Sequence, residues 1–502
     1  MPAHAARRAG LTVYVMLTLV ALTLVVAPAP ALAQHQTDTF TPVHVGSSQP
    51  WQVSLRRYDF GAADKPTLQS FASAMYDGKW VMLAGRTNGL HGFGQSGSQN
   101  FPPAAQNKEV WVIDPVTKQS WRRSLATDTG ITPMQLAHLS STNTQSAQVG
   151  ERLYVTGGYA SGPQGFQTYD FLSSIDLPKL TDWVINGAGT AAGAIRSIND
   201  PAFRVTGGAM YPMNGRMHLV FGQNFTGGYP GGSGVYTQQV RSFDILDDGT
   251  NLSIVNYGAT APDSNYRRRD LNVFPVIHRN TNGSLGIGVE ALSGVFTPSN
   301  GAWTVPVYVN DNGQASMRDP ASPDAFKQAM NNYHSAKLGL YSEQADSMHE
   351  VLFGGITLHY YDETALSFVR DDGLPFTNQI TQVNVDADGN HAQDLIGEFP
   401  VLLDQQGNRM RFGAGAEFFP AAGIPTYDNG VIKLDALSGP TVLGYVYGGI
   451  FANAPHTQGV PGAVSGASNE IFEVLYTPVP EPTAAGLLLL FSALALRRRR
   501  LN

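Results

Sequence analysis

The chain has 502 residues, no cysteine and a formal charge of −7. Lack of cysteine excludes disulfides, thiol catalysis and Cys-ligated zinc, and the acidic balance offers no electrostatic footprint for DNA or RNA. Charged residues are sparse while 54 residues are glycine, a mix that suits strands joined by many turns and not helical bundles.

The first element is a targeting segment. Arg7 and Arg8 precede an apolar run from Leu11 to Val26, and Ala31-Leu32-Ala33 puts small residues at the cleavage positions. Residues 1–33 are therefore expected to be a signal peptide, cut by signal peptidase between Ala33 and Gln34. The alternative is an uncleaved N-terminal anchor. Without the six arginines of the two terminal segments, the stretch from Gln34 to Thr483 carries −13. Residues 34–50 read as a linker, and Trp51 to Phe60 ("WQVSLRRYDF") as a Trp-led strand.

A pattern of turn, apolar strand and one or two glycines then recurs, as in "AMYDGKWVMLAGR" and "AQVGERLYVTGGY". Its glycines are Gly85, Gly158, Gly222, Gly294, Gly355 and Gly449, with gaps of 61 to 73 residues and a last gap of 94. Most are followed by an alternating strand that runs into an Asp or Asn turn and out again into another strand. Asp114 leads to Trp121 in this way and Asp176 to Trp183, each tryptophan expected on the outgoing strand.

Double glycine, Asp turn and Trp together resemble the kelch repeat, from Trp51 to Val479. The resemblance implies an all-β chain folded as a kelch-like β-propeller. It would have six four-stranded blades, with Trp51 to Phe60 completing the last blade and closing the ring. Glycine suits such packing because it lets neighbouring backbones approach closely. The spacing exceeds the ~50 residues of a kelch blade, so loop insertions are expected. A pair of two-sheet sandwiches also has short, regularly spaced strands and stays open.

"DPASPDAFKQAMNNYHSAKLG" interrupts the pattern. Ser322 suits a cap and Pro323 a first turn, so a short helix is expected through Met330, as a lid or as a solvated excursion.

Residues of chemical interest are few. "DADGN" (Asp386, Asp388, Asn390) has the start of a calcium loop but lacks its distal glutamate, and reads better as a hairpin turn. His334, His349 and His359 lack zinc spacing and read as surface or strand histidines. Arg267, Arg268 and Arg269 beside Asp270 would suit an anionic ligand such as a uronate sugar, or a solvated loop with local ion pairs. No nucleophile elbow or phosphate loop is present, and without cysteine no cysteine-linked tyrosine copper centre can form. No catalytic, metal or cofactor-binding residue is assigned, and no cofactor is expected.

The chain closes on "VPEPTAAGLLLLFSALALRRRRLN". The apolar run is short of the ~20 residues a spanning helix needs, and the arginines suit an anionic cytoplasmic membrane face. Val479, Pro480, Glu481 and Pro482, the apolar stretch, and Arg497, Arg498, Arg499 and Arg500 together resemble the PEP-CTERM sorting signal. An ordinary tail anchor is the alternative. The resemblance implies a Gram-negative source, transient insertion of 480–502 in the inner membrane as a transmembrane helix, and processing by an exosortase. The protein would end at the cell surface or outside it. The expected function is a non-catalytic surface propeller binding glycan or protein components of a biofilm matrix. A secreted carbohydrate-active hydrolase or lyase is the other reading.

Overall fold

In the computed structural model, residues 39–94 and 96–479 are described. The expected cleavage site (Ala31, Ala33, Gln34) and the sorting segment from Pro480 through Arg497–Arg500 lie outside the described residues. Among the described residues, no helix is long and apolar enough to cross a membrane.

The described residues are all-β, and their core is six sheets, each built on four antiparallel strands, with short extra edge strands on the fifth and sixth. Sheet 1 runs through Ala72–Tyr76, Lys79–Leu83, Glu109–Asp114 and Gln119–Ser124. Sheet 2 has Gln145–Val149, Arg152–Thr156, Phe171–Asp176 and Ile195–Asn199. Sheet 3 has Ala209–Met213, Arg216–Val220, Val240–Asp247 and Leu252–Ala259. Sheet 4 has Asn272–Arg279, Leu285–Leu292, Val307–Asn310 and Ala315–Met317. Sheet 5 has Ala336–Ser342, Ser347–Ile356, Phe376–Val385 and His391–Glu398. Sheet 6 takes Arg411–Pro420, Thr441–Ala452 and Ile471–Pro478 from the C-terminal end and Trp51–Arg57 as its outer strand. That last strand pairs antiparallel from Trp51 opposite Pro478 to Arg57 opposite Phe472.

Side-chain alternation explains how the sheets stack. In Lys79–Leu83, Trp80 and Met82 pack toward sheet 6 with Phe419 and Tyr447, while Val81 and Leu83 pack toward sheet 2 with Leu153 and Val155. Both faces are buried, so the strand reads as an unbroken apolar run. Further apolar clusters fill the joints between sheets 2 and 3, 3 and 4, 4 and 5, and 5 and 6.

The repeat glycines stitch these joints. All six have positive φ, from 79° to 99°, which costs an L-residue about 1–2 kcal/mol. A Cβ on Gly85 would sit 2.6 Å from the Gln69 carbonyl oxygen, and one on Gly449 2.7 Å from that of Ala414. The N–H groups of five of them reach the following sheet. Gly85 donates to Ser141 O, Gly158 to Val205 O, Gly222 to Arg268 O, Gly294 to Asn332 O, and Gly449 back to Leu68 O of sheet 1, over 2.8–3.1 Å. Six further backbone bonds form a closed circle. The N–H of Asn143 donates to Ser70 O, Gly207 to Asn143 O, Asp270 to Gly207 O, His334 to Asp270 O, Gly415 to His334 O, and Ser70 to Gly415 O, over 2.7–3.2 Å.

Three local expectations are corrected. Ser322 to Met330 form no helix, because Phe326, Ala329 and Met330 are buried. The backbone there bonds outward, with Gln328 N–H donating to Thr304 O and Lys327 N–H to Thr41 Oγ1. Trp183 is not on an outgoing strand, since a helix spans Leu177–Asn186 with Asp176 as its cap, Pro178 in its first turn and left-handed Gly187 at its end. Within the stretch expected to be a linker, Val43–Val45 pairs parallel with His391–Glu398 at the edge of sheet 5.

Candidate functional site

Five of the six circle residues stand just before the first strand of their sheets and Gly415 lies within the strand Arg411–Pro420, and two cavities meet at them. A wide cavity of about 540 Å³ is lined by residues that follow the circle, including Thr144, Tyr211, Lys337 and Glu417. A narrow one of about 130 Å³ is lined by residues that precede it: Gln69, Thr142, Thr206, Arg269, Tyr333 and Ala414. Ser70, Asn143, Asp270 and His334 border both.

Antiparallel meanders put turns between strands 1 and 2 at one end of each sheet, and loops between strands 2 and 3 at the other. The wide cavity therefore reaches the tight turns near Gly150 and Met213. The narrow cavity is roofed by long loops, which absorb the extra length between the repeats. Three of them are locked together. Asn100 Nδ2 donates to Tyr229 O (2.9 Å), Leu90 N–H to Ser465 Oγ (3.0 Å), and Gln458 Nε2 to His91 O (3.1 Å). Loop hairpins of sheets 2 and 3, Tyr159–Thr168 and Gln223–Tyr236, add a shared four-stranded sheet.

In the wide cavity, burial pushes the Glu417 carboxyl up to about 7 despite nearby Lys337. Burial pulls the Lys337 ammonium down, opposed by Glu417. It pulls His334 down to about 3, and Lys337 adds to that. Glu417 and His334 keep 24% and 27% of their side-chain surface open, and both line the cavity. His334 Nε2 lies 3.6 Å from Glu417 Oε1, a polar contact and not an ion pair while the imidazole is neutral. A carboxyl that titrates near neutrality can bind, donate or take up a proton.

The narrow cavity differs in charge and in lining. Arg269 Nη1 pairs with Asp270 Oδ2 at 2.6 Å, and its Nε donates to Tyr236 OH. Burial opposes the Arg269 charge, but Asp270 and the tyrosines outweigh it and raise its pKa. Asp270 Oδ1 also accepts from Asn143 Nδ2 at 2.8 Å. Arg86 is 3% exposed, lies 4.2 Å over the Phe101 ring, and donates through Nη2 to Asn100 O. Burial lowers its pKa to about 10, so it stays charged at neutral pH. His91 is pulled to about 4 by burial and is neutral there. Phe101, Tyr159, Phe225, Tyr229 and Tyr333 supply ring faces.

Of the three arginines singled out in the sequence, only Arg269 lines a cavity. Arg267 lies over Tyr236 and donates to Phe296 O. Arg268 is fully buried and holds three backbone carbonyls, those of Asn265, Ser293 and Val305. His334 is a circle residue. His349 and His359 are buried in strands of sheet 5 and its side hairpin. Asp386 is a hairpin turn residue whose Oδ1 accepts from the N–H groups of Asp388 and Asn390. Among the described residues, no group of three or more His, Asp or Glu side chains is arranged to hold a metal ion.

Sequence reasoning missed Arg86, Lys337 and Glu417. A usable signal existed for the first. Arg86, Tyr159, Gln223, Ile356 and Ile450 each follow a repeat glycine directly, and all five line the narrow cavity. Lys337 and Glu417 carry no such mark, because alternation along a strand does not reveal which end faces a cavity.

No protein-family model matches the chain, and no curated protein matches it. Among solved structures it is similar to that of YjhT, with a TM-score of 0.40 and 12% identity, over 82% of this chain and 97% of that one.

Proposed function

We propose that the chain is an exported, kelch-like six-bladed β-propeller that binds a glycan in the two cavities at its centre without transforming it. The closed circle of six backbone hydrogen bonds carries this reading, since it ties one residue from each sheet around a polar and aromatic central space. The outer position of Trp51–Arg57 in sheet 6 supports the ring, because one blade then takes strands from both ends of the described chain. Export rests on the signal-peptide pattern of residues 1–33. Sorting to the cell surface rests on the likeness of Val479 to Arg500 to exosortase substrates, with signal peptidase and exosortase as the processing partners.

Glu417, titrating near 7 beside Lys337 and His334, favours a second reading, a carbohydrate-active enzyme working in the wide cavity. A glycan-array screen run beside a polysaccharide-degradation assay separates the two. Binding without products is the expected outcome. Released fragments that disappear in Glu417→Gln would replace the binding reading with the enzymatic one.

A further inference from the structure

We propose that the narrow cavity is a carboxylate subsite in which Arg86 anchors the acid group of a sugar acid. The inference rests on the glycan-binding reading and names the chemical class of the ligand. Two other arginines of this chain set the standard, Arg268 fully buried and Arg269 largely so. Arg268 spends its donors on three backbone carbonyls, as a purely structural guanidinium must. Arg269 is neutralised by Asp270, whose other oxygen is taken by Asn143. Arg86 has neither arrangement. It makes one hydrogen bond, to Asn100 O at 3.2 Å, and lies over Phe101. Among the described residues, no carboxylate pairs with it. A guanidinium has five N–H donors in a planar fork that matches a carboxylate, and those left over border the cavity.

Charge around the cavity points the same way. Arg269 and Asp270 cancel, and His91 and His334 are neutral at physiological pH. Arg86 thus leaves the cavity with one net positive charge, inside a stretch that carries −13 overall. Phe101, Tyr159 and Tyr229 offer flat apolar faces with hydroxyls at the edges. That pairing suits a pyranose, whose C–H face stacks while its hydroxyls bond. A space of about 130 Å³ admits a single ring and not an extended chain, so the ligand is a monosaccharide acid or the acidic end of a longer glycan.

The test is titration calorimetry on the full chain with methyl galacturonoside, its methyl ester, the neutral methyl galactoside, acetate and inorganic phosphate. The free acid is expected to bind at least about tenfold tighter than the ester, the scale of one charged hydrogen-bonded contact. Arg86→Gln should bring the acid down to the ester's affinity and leave the ester unchanged, and Arg86→Lys should fall between. If Arg86→Gln does not fold, the acid-to-ester ratio of the unaltered chain decides. Equal affinity for acid and ester, or an acid preference that survives Arg86→Gln, overturns the inference. Binding of the neutral glycoside without acid preference overturns it too, but leaves the glycan reading standing. Acetate or phosphate binding that needs Arg86, with no sugar bound, supports the anion anchor and overturns the glycan reading. No binding of any probe overturns both.

Discussion

Tight turns and first strands wall the wide cavity, whereas long interlocked loops wall the narrow one, and both meet at Ser70, Asn143, Asp270 and His334. The wide cavity gathers groups whose charged forms burial disfavours: a carboxyl near neutrality, a depressed lysine and a neutral imidazole. The narrow cavity keeps a charge, because a guanidinium holds its proton even after burial lowers its pKa to about 10. Two spaces a residue apart on the same backbone circle therefore acquire opposite electrostatic habits. The position of a residue relative to the circle, just before it or within a few residues after it, decides which space it serves.

The largest expected effect comes from the backbone packing of sheet 6 beside the circle. Gly449→Ala places a Cβ 2.7 Å from both Ala414 O and Ala416 Cβ at a φ of 81°. It should cost roughly 4 kcal/mol in denaturant unfolding and disturb both cavities together. A loss below about 1 kcal/mol would show that the paired strands Arg411–Pro420 and Thr441–Ala452 of sheet 6 are loosely packed there.

Asp270→Ala acts at the circle but on the narrow side. It strands the buried Arg269 charge and deprives Asn143 of its acceptor, so a loss of about 3 kcal/mol is expected. Restoration of most of that stability by Arg269→Met in the Asp270→Ala background would show that the stranded charge causes it.

Glu417→Gln probes the wide side through pH. The folded carboxyl titrates near 7, above its ordinary 4.5. The folded state therefore keeps a proton that the unfolded chain has lost. Its contribution is most favourable below pH 4.5 and fades as pH rises to about 7. The variant should match the parent at pH 4 and exceed it at pH 8 by on the order of 1 kcal/mol. A pH-independent difference would mean that folding leaves the Glu417 carboxyl at its ordinary pKa.

The smallest effect is a control remote from both spaces. Arg204 pairs with Asp170 at 2.9 Å on the surface, and Arg204→Ala should cost no more than about 0.5 kcal/mol. Melting curves beside Gly449→Ala would show whether the two cavities, and not the surface charges, dominate stability.

Much of the framework was legible in the sequence. Each repeat glycine stands where φ is positive and a Cβ would strike backbone or a packed side chain. "WQVSLRRYDF" supplies the outer strand of sheet 6, and Asp114 caps a tight turn by accepting from the N–H groups of Val116 and Thr117. Errors fell where local signals competed. Ser322-Pro323 looks like a helix start, but the burial of Phe326 and Met330 draws that segment out along sheet 5. Asp176 was read as another turn like Asp114, although Pro178 and Gly187 already bracket a helix.

Sequence alone determined the period, the turns and the glycine joints, because those depend on φ, side-chain alternation and neighbours a few residues away. Only the tertiary structure decided which arginine keeps a free charge. Arg86, Arg268 and Arg269 are alike as residues, and what separates them is whether carbonyls or a carboxylate from distant strands arrive to occupy their donors. Partners drawn from across the chain are fixed by the packing of the sheets against one another, and no local stretch of sequence contains that information.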